Sequence, residues 1–246
     1  MNNITANLAS EIAARTELVY EKIEAACLRS GRKVQDIELM AVSKFQSLEA
    51  MEAARQAGIK LFGEGRVQEA MKKVPGFFRN RPEGGQEEGI ELHLVGSLQR
   101  NKAKIAAEIF DCIQSVDRDS LINTLGALTI NREKPLIILL EYHTGEESKA
   151  GYPNRDSLYR AADLILSFPG LKPAGLMTMA PFTGDTAAVR SAFRELAAAR
   201  EELARRFPAE NWSCLSMGMT GDFETAIEEG STLIRIGTAI FGEPGT

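Results

Sequence analysis

The sequence has no basic excess: 29 Lys and Arg stand against 34 Asp and Glu, a formal charge of −5. That argues against a general nucleic-acid binder, which carries a basic face. It has no run of five or six like charges that would act as a solvated tail. Its longest apolar runs, such as 136–140, fall far short of the ~20 residues that span a bilayer. Charged residues interrupt the first 22 positions (Glu11, Arg15, Glu17, Glu21, Lys22), so no signal-peptide core is present. A cytoplasmic location and no membrane partner are therefore expected. The three cysteines, Cys27, Cys112 and Cys214, are too far apart for any CxxC metal spacing, and an odd count suits a reducing compartment. Each sits in or beside an apolar segment and reads as a small buried hydrophobe. No GxGxxG follows the first strand, which weakens a dinucleotide-binding sheet.

What is present is a repeat of short apolar runs and amphipathic stretches. A first helix is expected over 4–28, with Ile4, Leu8, Ile12, Val19, Ile23 and Cys27 on one stripe and Ser30-Gly31 as its stop. Eight apolar runs follow, at 38–43, 60–63, 91–96, 112–116, 136–142, 174–179, 214–217 and 232–241. Helices are expected between them at 48–57, 67–73, 98–107, 119–130, 155–166, 185–207 and 222–229, with acidic starts and glycine stops at Gly58 and Gly230. Several runs are apolar on both faces, as strands of a parallel sheet covered by helices must be. Eight such units predict a closed (β/α)8 barrel of TIM type with an extra N-terminal helix, as one domain over 1–246. An open doubly wound sheet is the rival. The segment 79–89, rich in Gly and Glu, reads as a surface loop.

In such a barrel the chemistry lies at the C-terminal ends of the strands. Alternation along the first strand puts Met40, Val42 and Lys44 on one face. A lysine at the mouth of an apolar tube needs a reason to be there, and Schiff-base chemistry is one; snorkelling to solvent is the other. After the seventh and eighth strands, Gly218, Gly221 and Gly237 allow close backbone approach, and Ser216, Thr220 and Thr238 offer hydroxyls. Both loops sit where this fold commonly binds phosphate. Arg235 lies inside an apolar strand and needs a partner, a structural ion pair or a ligand. Together, Lys44, the phosphate cradle and Arg235 suggest pyridoxal 5′-phosphate (PLP).

The segments AVSK (41–44), LFGEG (61–65), LHLVGSLQRNK (92–102), QSVD (114–117), GEESKAG (145–151), GLMTMAP (175–181) and 215–242 run nearly the whole chain in order. By them the sequence resembles the pyridoxal-phosphate homeostasis proteins, single-domain relatives of the alanine racemase N-terminal barrel. The resemblance implies that Lys44 carries PLP as a Schiff base. It implies that Ser216, Gly237 and Thr238 hold the phosphate and that Arg235 faces the pyridine nitrogen. It implies a role in vitamin B6 and amino-acid homeostasis without strong catalysis, no catalytic residue and no metal. The expected partners are PLP and recipient apo-enzymes, for a monomer. Gly65 and Arg66 stand where the family usually has an asparagine and an aromatic residue, Phe45 where a small or polar residue follows the lysine, and Ser97 at a frequent proline.

The alternative is a PLP-dependent amino-acid racemase, which needs a base on each face of the α-carbon; Tyr142 and Tyr152 lie near the mouth by strand order. A third reading is a sugar-phosphate aldolase barrel. His93 reads as a satisfied interior histidine, and His143 and Lys149 as members of a solvated loop after the fifth strand.

Overall fold

A computed structural model describes residues 3–77, 89–144 and 150–243. Helix α1 (Asn3–Ser30) precedes strand β1 (Glu38–Val42) and helix α2 (Leu48–Gln56). Then come β2 (Leu61–Glu64), α3 (Val67–Phe77), β3 (Glu91–Leu94), α4 (Ala103–Ile109), β4 (Cys112–Val116) and α5 (Asp119–Thr129). The chain continues through β5 (Leu136–Glu141), α6 (Arg155–Leu166), β6 (Leu171–Met177), α7 (Thr186–Arg206), β7 (Cys214–Ser216), α8 (Phe223–Glu228), β8 (Leu233–Ile236) and α9 (Thr238–Phe241). All eight strands pair in parallel in sequence order, and β8 returns to β1, so the sheet is a closed barrel.

Inside the barrel, Met40, Leu61 and Leu233 pack together on one side and Cys112, Leu139 and Met177 on the other. The larger core lies between sheet and helices. The cysteines behave as hydrophobes: burial pushes the thiols of Cys27 and Cys112 up, and that of Cys214 to about 12. Helix α1 buries the stripe Ile12, Val19, Ile23 and Cys27 against α2, α8 and α9. Arg29 holds it there through Glu224 and Glu228, and Arg32 just beyond it binds the carbonyls of Ile227 and Ser231. Ser47, Asn154 and Asp185 cap the starts of α2, α6 and α7. Among the described residues no helix is long and apolar enough to cross a membrane.

Several boundaries differ from the sequence reading. The run 232–241 is not one strand: β8 stops at Ile236, Gly237 turns the chain, and Thr238–Phe241 forms α9. Strand β6 begins at Leu171 and passes through Pro173, where the β5–β6 register shifts between Ile138 and Leu139. A proline cannot donate to the ladder, and a bulge is where a sheet tolerates one. The expected helix at 98–107 is a 3-10 turn over Arg100–Lys102 followed by α4. Lys149 and residues 79–88 of the polar segment lie outside the described residues.

Candidate functional site

Lys44 directly follows β1, and the backbone on both sides of it is anchored. The Ser43 carbonyl accepts a hydrogen bond from Lys73 Nζ at 2.6 Å, and the Phe45 N–H donates to Glu69 Oε1. Lys73 Nζ also donates to Glu64 Oε1 at 2.9 Å and Glu69 Oε1 at 2.6 Å, and Ser43 Oγ donates to the same Glu64 oxygen at 2.7 Å. Glu64 ends β2 and is buried; desolvation raises its carboxyl, while Lys73 and Ser43 pull it back. Phe45 is the only described non-glycine residue with a positive φ, 64°, and is 60% exposed. That left-handed conformation costs about 1–2 kcal/mol. A buried ion network therefore fixes a strained turn that presents Lys44 to the barrel mouth.

Arg235 occupies the inward face of β8 and is 5% exposed. Its two hydrogen-bond acceptors are neutral: Nη1 donates to Ser216 Oγ at 2.7 Å and Nη2 to the Thr178 carbonyl at 2.8 Å. Burial lowers its guanidinium to about 10, which leaves it charged at neutral pH; Asp222 and Glu141 offset part of the cost through space. Ser216 passes the chain on. Its hydroxyl, accepting from Arg235, donates to Gln114 Oε1 at 2.6 Å. With that oxygen taken, the Gln114 amide NH2 faces His93 Nδ1 at 2.8 Å and must donate. His93 Nδ1 is then the acceptor, and Nε2–H donates to Glu91 Oε2 at 3.2 Å. Every hydrogen bond from Arg235 to Glu91 thus runs in one direction through the barrel interior. His93 is a satisfied interior histidine, as its place in an apolar strand suggested.

One cavity of about 670 Å³ opens at the C-terminal ends of the strands. Lys44, Arg235, Gly237 and Thr238 line it together. Ser216 does not: alternation turns it inward, beneath the cavity floor, against Gln114 and Arg235. In the loop after β7 the hydroxyl that lines the wall is that of Thr220, to which Thr238 Oγ1 donates at 3.2 Å, joining the loops after β7 and β8. Asp222 is turned onto the Met219 N–H at 2.6 Å, and Arg235 N–H binds the Gly218 carbonyl at 2.9 Å. A Cβ on Gly237 would meet Val42 only at ordinary contact distance, 3.5 Å, so packing does not demand this glycine. Its bareness serves the cavity wall. Gly96 is the opposite case: a Cβ there would lie 2.1 Å from the Gly65 carbonyl oxygen, because the ends of β2 and β3 approach backbone to backbone beside Lys44.

Glu141 is a lining residue that the sequence reading passed over. It closes β5, is 3% exposed, and burial beside Asp117 raises its carboxyl to about 7. The same test that singled out Lys44 and Arg235, a charge inside an apolar run, applies to it. The two tyrosines near the mouth are committed elsewhere: Tyr142 OH donates to Glu195 and Tyr152 OH to Asp119, each at 3.0 Å, and neither lines the cavity. Burial and these carboxylates raise both phenols.

The position of Ser216 carries an expected result. Ser216→Ala leaves Gln114 Oε1 and an Arg235 N–H without a partner, so it should lower folding stability by about 1–3 kcal/mol. Any effect on a ligand at the mouth then comes through Arg235 and is smaller. Urea unfolding read beside ligand affinity checks this; a loss of affinity with unchanged stability would show direct contact.

The chain matches the family "Alanine racemase, N-terminal domain" over residues 20–244. It is 39% identical over 233 residues to the "Pyridoxal phosphate homeostasis protein" of Vibrio cholerae, covering 94% of this chain and 96% of that one. Among solved structures, an unknown protein from Bifidobacterium adolescentis superposes with a TM-score of 0.88 at 33% identity, over 98% of this chain and 97% of the other. PipY of Synechococcus elongatus PCC7942, solved with PLP bound, gives 0.78 at 32% identity, over 94% and 100%.

Proposed function

Since this chain belongs to the alanine racemase N-terminal domain family and, within it, to the pyridoxal phosphate homeostasis proteins, we propose that it binds PLP at the barrel mouth and serves PLP homeostasis. The observation that carries the reading is one cavity lined at once by Lys44, Arg235, Gly237, Thr220 and Thr238. These residues fit the group. Lys44 would supply the amine, Thr220 and Thr238 would supply hydroxyls to a phosphate, and bare Gly237 would admit it; Arg235 would serve the ring nitrogen. PLP, when bound, supplies an aldehyde that an amine can capture and a ring that draws electrons. Ser216, named with the phosphate residues from resemblance, is assigned instead to holding Arg235. The reading includes a single-domain, monomeric carrier in the cytoplasm that passes PLP to apo-enzymes.

The phosphate side is tested by comparing PLP with pyridoxal. Loss of about two charge-assisted hydrogen bonds should weaken binding on the order of 100-fold. Gly237→Val should weaken PLP by a similar factor and pyridoxal much less. Equal affinity for the two ligands would remove the cradle from the proposal.

The proposal also holds that catalysis is weak. Arg235 is charged and can only donate, so it disfavours a proton on a ring nitrogen beside it. A ring kept neutral is a poorer electron sink. A racemase compensates with two bases, and here both mouth tyrosines are bound to carboxylates away from the cavity. L-Alanine incubated with the protein in deuterated water should therefore exchange its α-proton far more slowly than about once per second. NMR exchange at or above that rate would favour the racemase.

A further inference from the structure

The proposed cofactor residues occupy only one side of the mouth: Lys44 after β1, Thr220 after β7, and Arg235, Gly237 and Thr238 on or after β8. The other side is formed by β5, β6 and the segment leading to α7. There Met177, Met179, Pro181 and Val189 make an apolar wall, and among the described residues Glu141 is the one charged residue lining it. We infer that this side is a binding subsite for an organic ammonium ion, with Glu141 as counter-charge and the methionine and valine wall as the seat of its apolar body.

Glu141 alternates with Ile137 and Leu139, whose side chains pack inside the barrel, so its carboxylate points inward at the mouth. Only two carboxylates among the described residues are buried. Glu64 is held by Lys73 and Ser43; Glu141 has no hydrogen-bond or ion-pair partner among the described residues. The groups acting on it are Asp117 from the turn after β4 and Arg235 from β8; neighbouring β6 offers Met177, which does not titrate. Arg235 has spent Nη1 and Nη2 on Ser216 and Thr178.

The Glu141 oxygens are not among the fully buried unpartnered atoms and open onto the cavity, where the described residues offer them no partner, so a ligand that supplies one gains what the fold has left open. An anion would find no positive lining group on this side among the described residues. A neutral apolar ligand would desolvate Glu141 further and leave it unpaired. An ammonium N–H answers it with a charge-assisted hydrogen bond, and the wall takes the hydrocarbon. Burial holds the carboxyl near 7, so the charged form and the subsite are complete only above that pH.

The subsite contains no residue of the proposed cofactor side, Arg235 acting on Glu141 only through space, and the inference stands apart from the PLP reading. The probe is N,N-dimethylphenethylammonium, whose tertiary nitrogen cannot condense with an aldehyde. It is titrated calorimetrically into the full chain, without and with PLP, beside phenethyl alcohol and 3-phenylpropionate. The ammonium ion should bind the wild type, at least about tenfold more tightly than either control. Glu141→Gln should lose about that factor. Binding should weaken by a similar factor as pH falls from above about 7 to well below it. Lys44→Ala should keep the ammonium site whether or not it takes PLP, so failure of the PLP reading leaves this result intact. Should Glu141→Gln not fold, the pH series on the wild type decides. No ammonium binding, equal binding of the three probes, or affinity indifferent to pH and to Glu141→Gln would each overturn the inference.

Discussion

Lys44→Ala is expected to abolish the PLP adduct that borohydride fixes, while the barrel remains folded. Lys44 is exposed at the end of β1 and makes no hydrogen bond or ion pair with the described residues. Exposed side chains of that kind change stability by about ±0.5 kcal/mol when replaced. The turn that presents it is held by its neighbours' backbone groups and should survive the loss of the side chain. Intact-mass analysis after reduction reads the outcome directly: a PLP-sized increment on the wild type and none on the variant, with unchanged circular dichroism. An undiminished adduct on a folded variant would move the attachment to another lysine, such as Lys104 or Lys149.

Lys73→Met should cost about 3–5 kcal/mol of folding stability, the usual penalty for removing one partner of a buried ion pair. Lys73 joins Glu64, Glu69 and the Ser43 carbonyl, and Glu64 Oε2 already lacks a partner. The burden falls on Glu64. Its folded carboxyl is raised above the ordinary 4.5 by burial, and Lys73 is among the groups that lower it. A carboxyl raised on folding destabilises in its ionised form, so the variant should lose stability as pH rises from about 4.5 and recover it on acidification. Adding Glu64→Leu should return most of the loss, since a buried pair replaced by apolar groups is often neutral. Urea unfolding of the two variants across pH checks each part. A loss below about 1 kcal/mol in Lys73→Met would mean the network carries no more than a surface pair.

The barrel was legible because doubly buried strands announce themselves: 136–140 has no polar face to place in water. What failed is what apolar runs cannot encode. Residues 232–241 read as one strand, yet the apolar Ala239-Ile240-Phe241 belongs to a helical turn, and only the backbone at Gly237 separates the two. Lys44 and Arg235 were found because a charge in an apolar run is anomalous. Glu141 carries the same anomaly inside the run 136–142, and the structure shows that it closes β5 at the mouth. Ser216 and Thr220 are hydroxyls of one short stretch; alternation buries the first, and the turn that follows brings the second to the wall. The i,i+4 spacing of Glu69 and Lys73 is visible in the sequence, but their meeting with Glu64 and Ser43 joins three elements and has no local signal.

Helix α1 packs on α2 but also on α8 and α9, and β1 pairs with β8, so the two ends of the chain share one seam. Closing that seam fixes a loop some 200 residues long, as the Arg29–Glu228 separation of 199 shows. The entropy of such a closure grows only slowly with length, but contacts of this range form late and slow folding. During synthesis the apolar stripe of α1 emerges well before α8 and α9 and waits for these partners until Phe241 has been made. A circular permutant that joins the present termini and opens the chain in an exposed loop elsewhere would turn this slowest contact into a local one. It would be expected to fold faster than the natural order while keeping the same mouth.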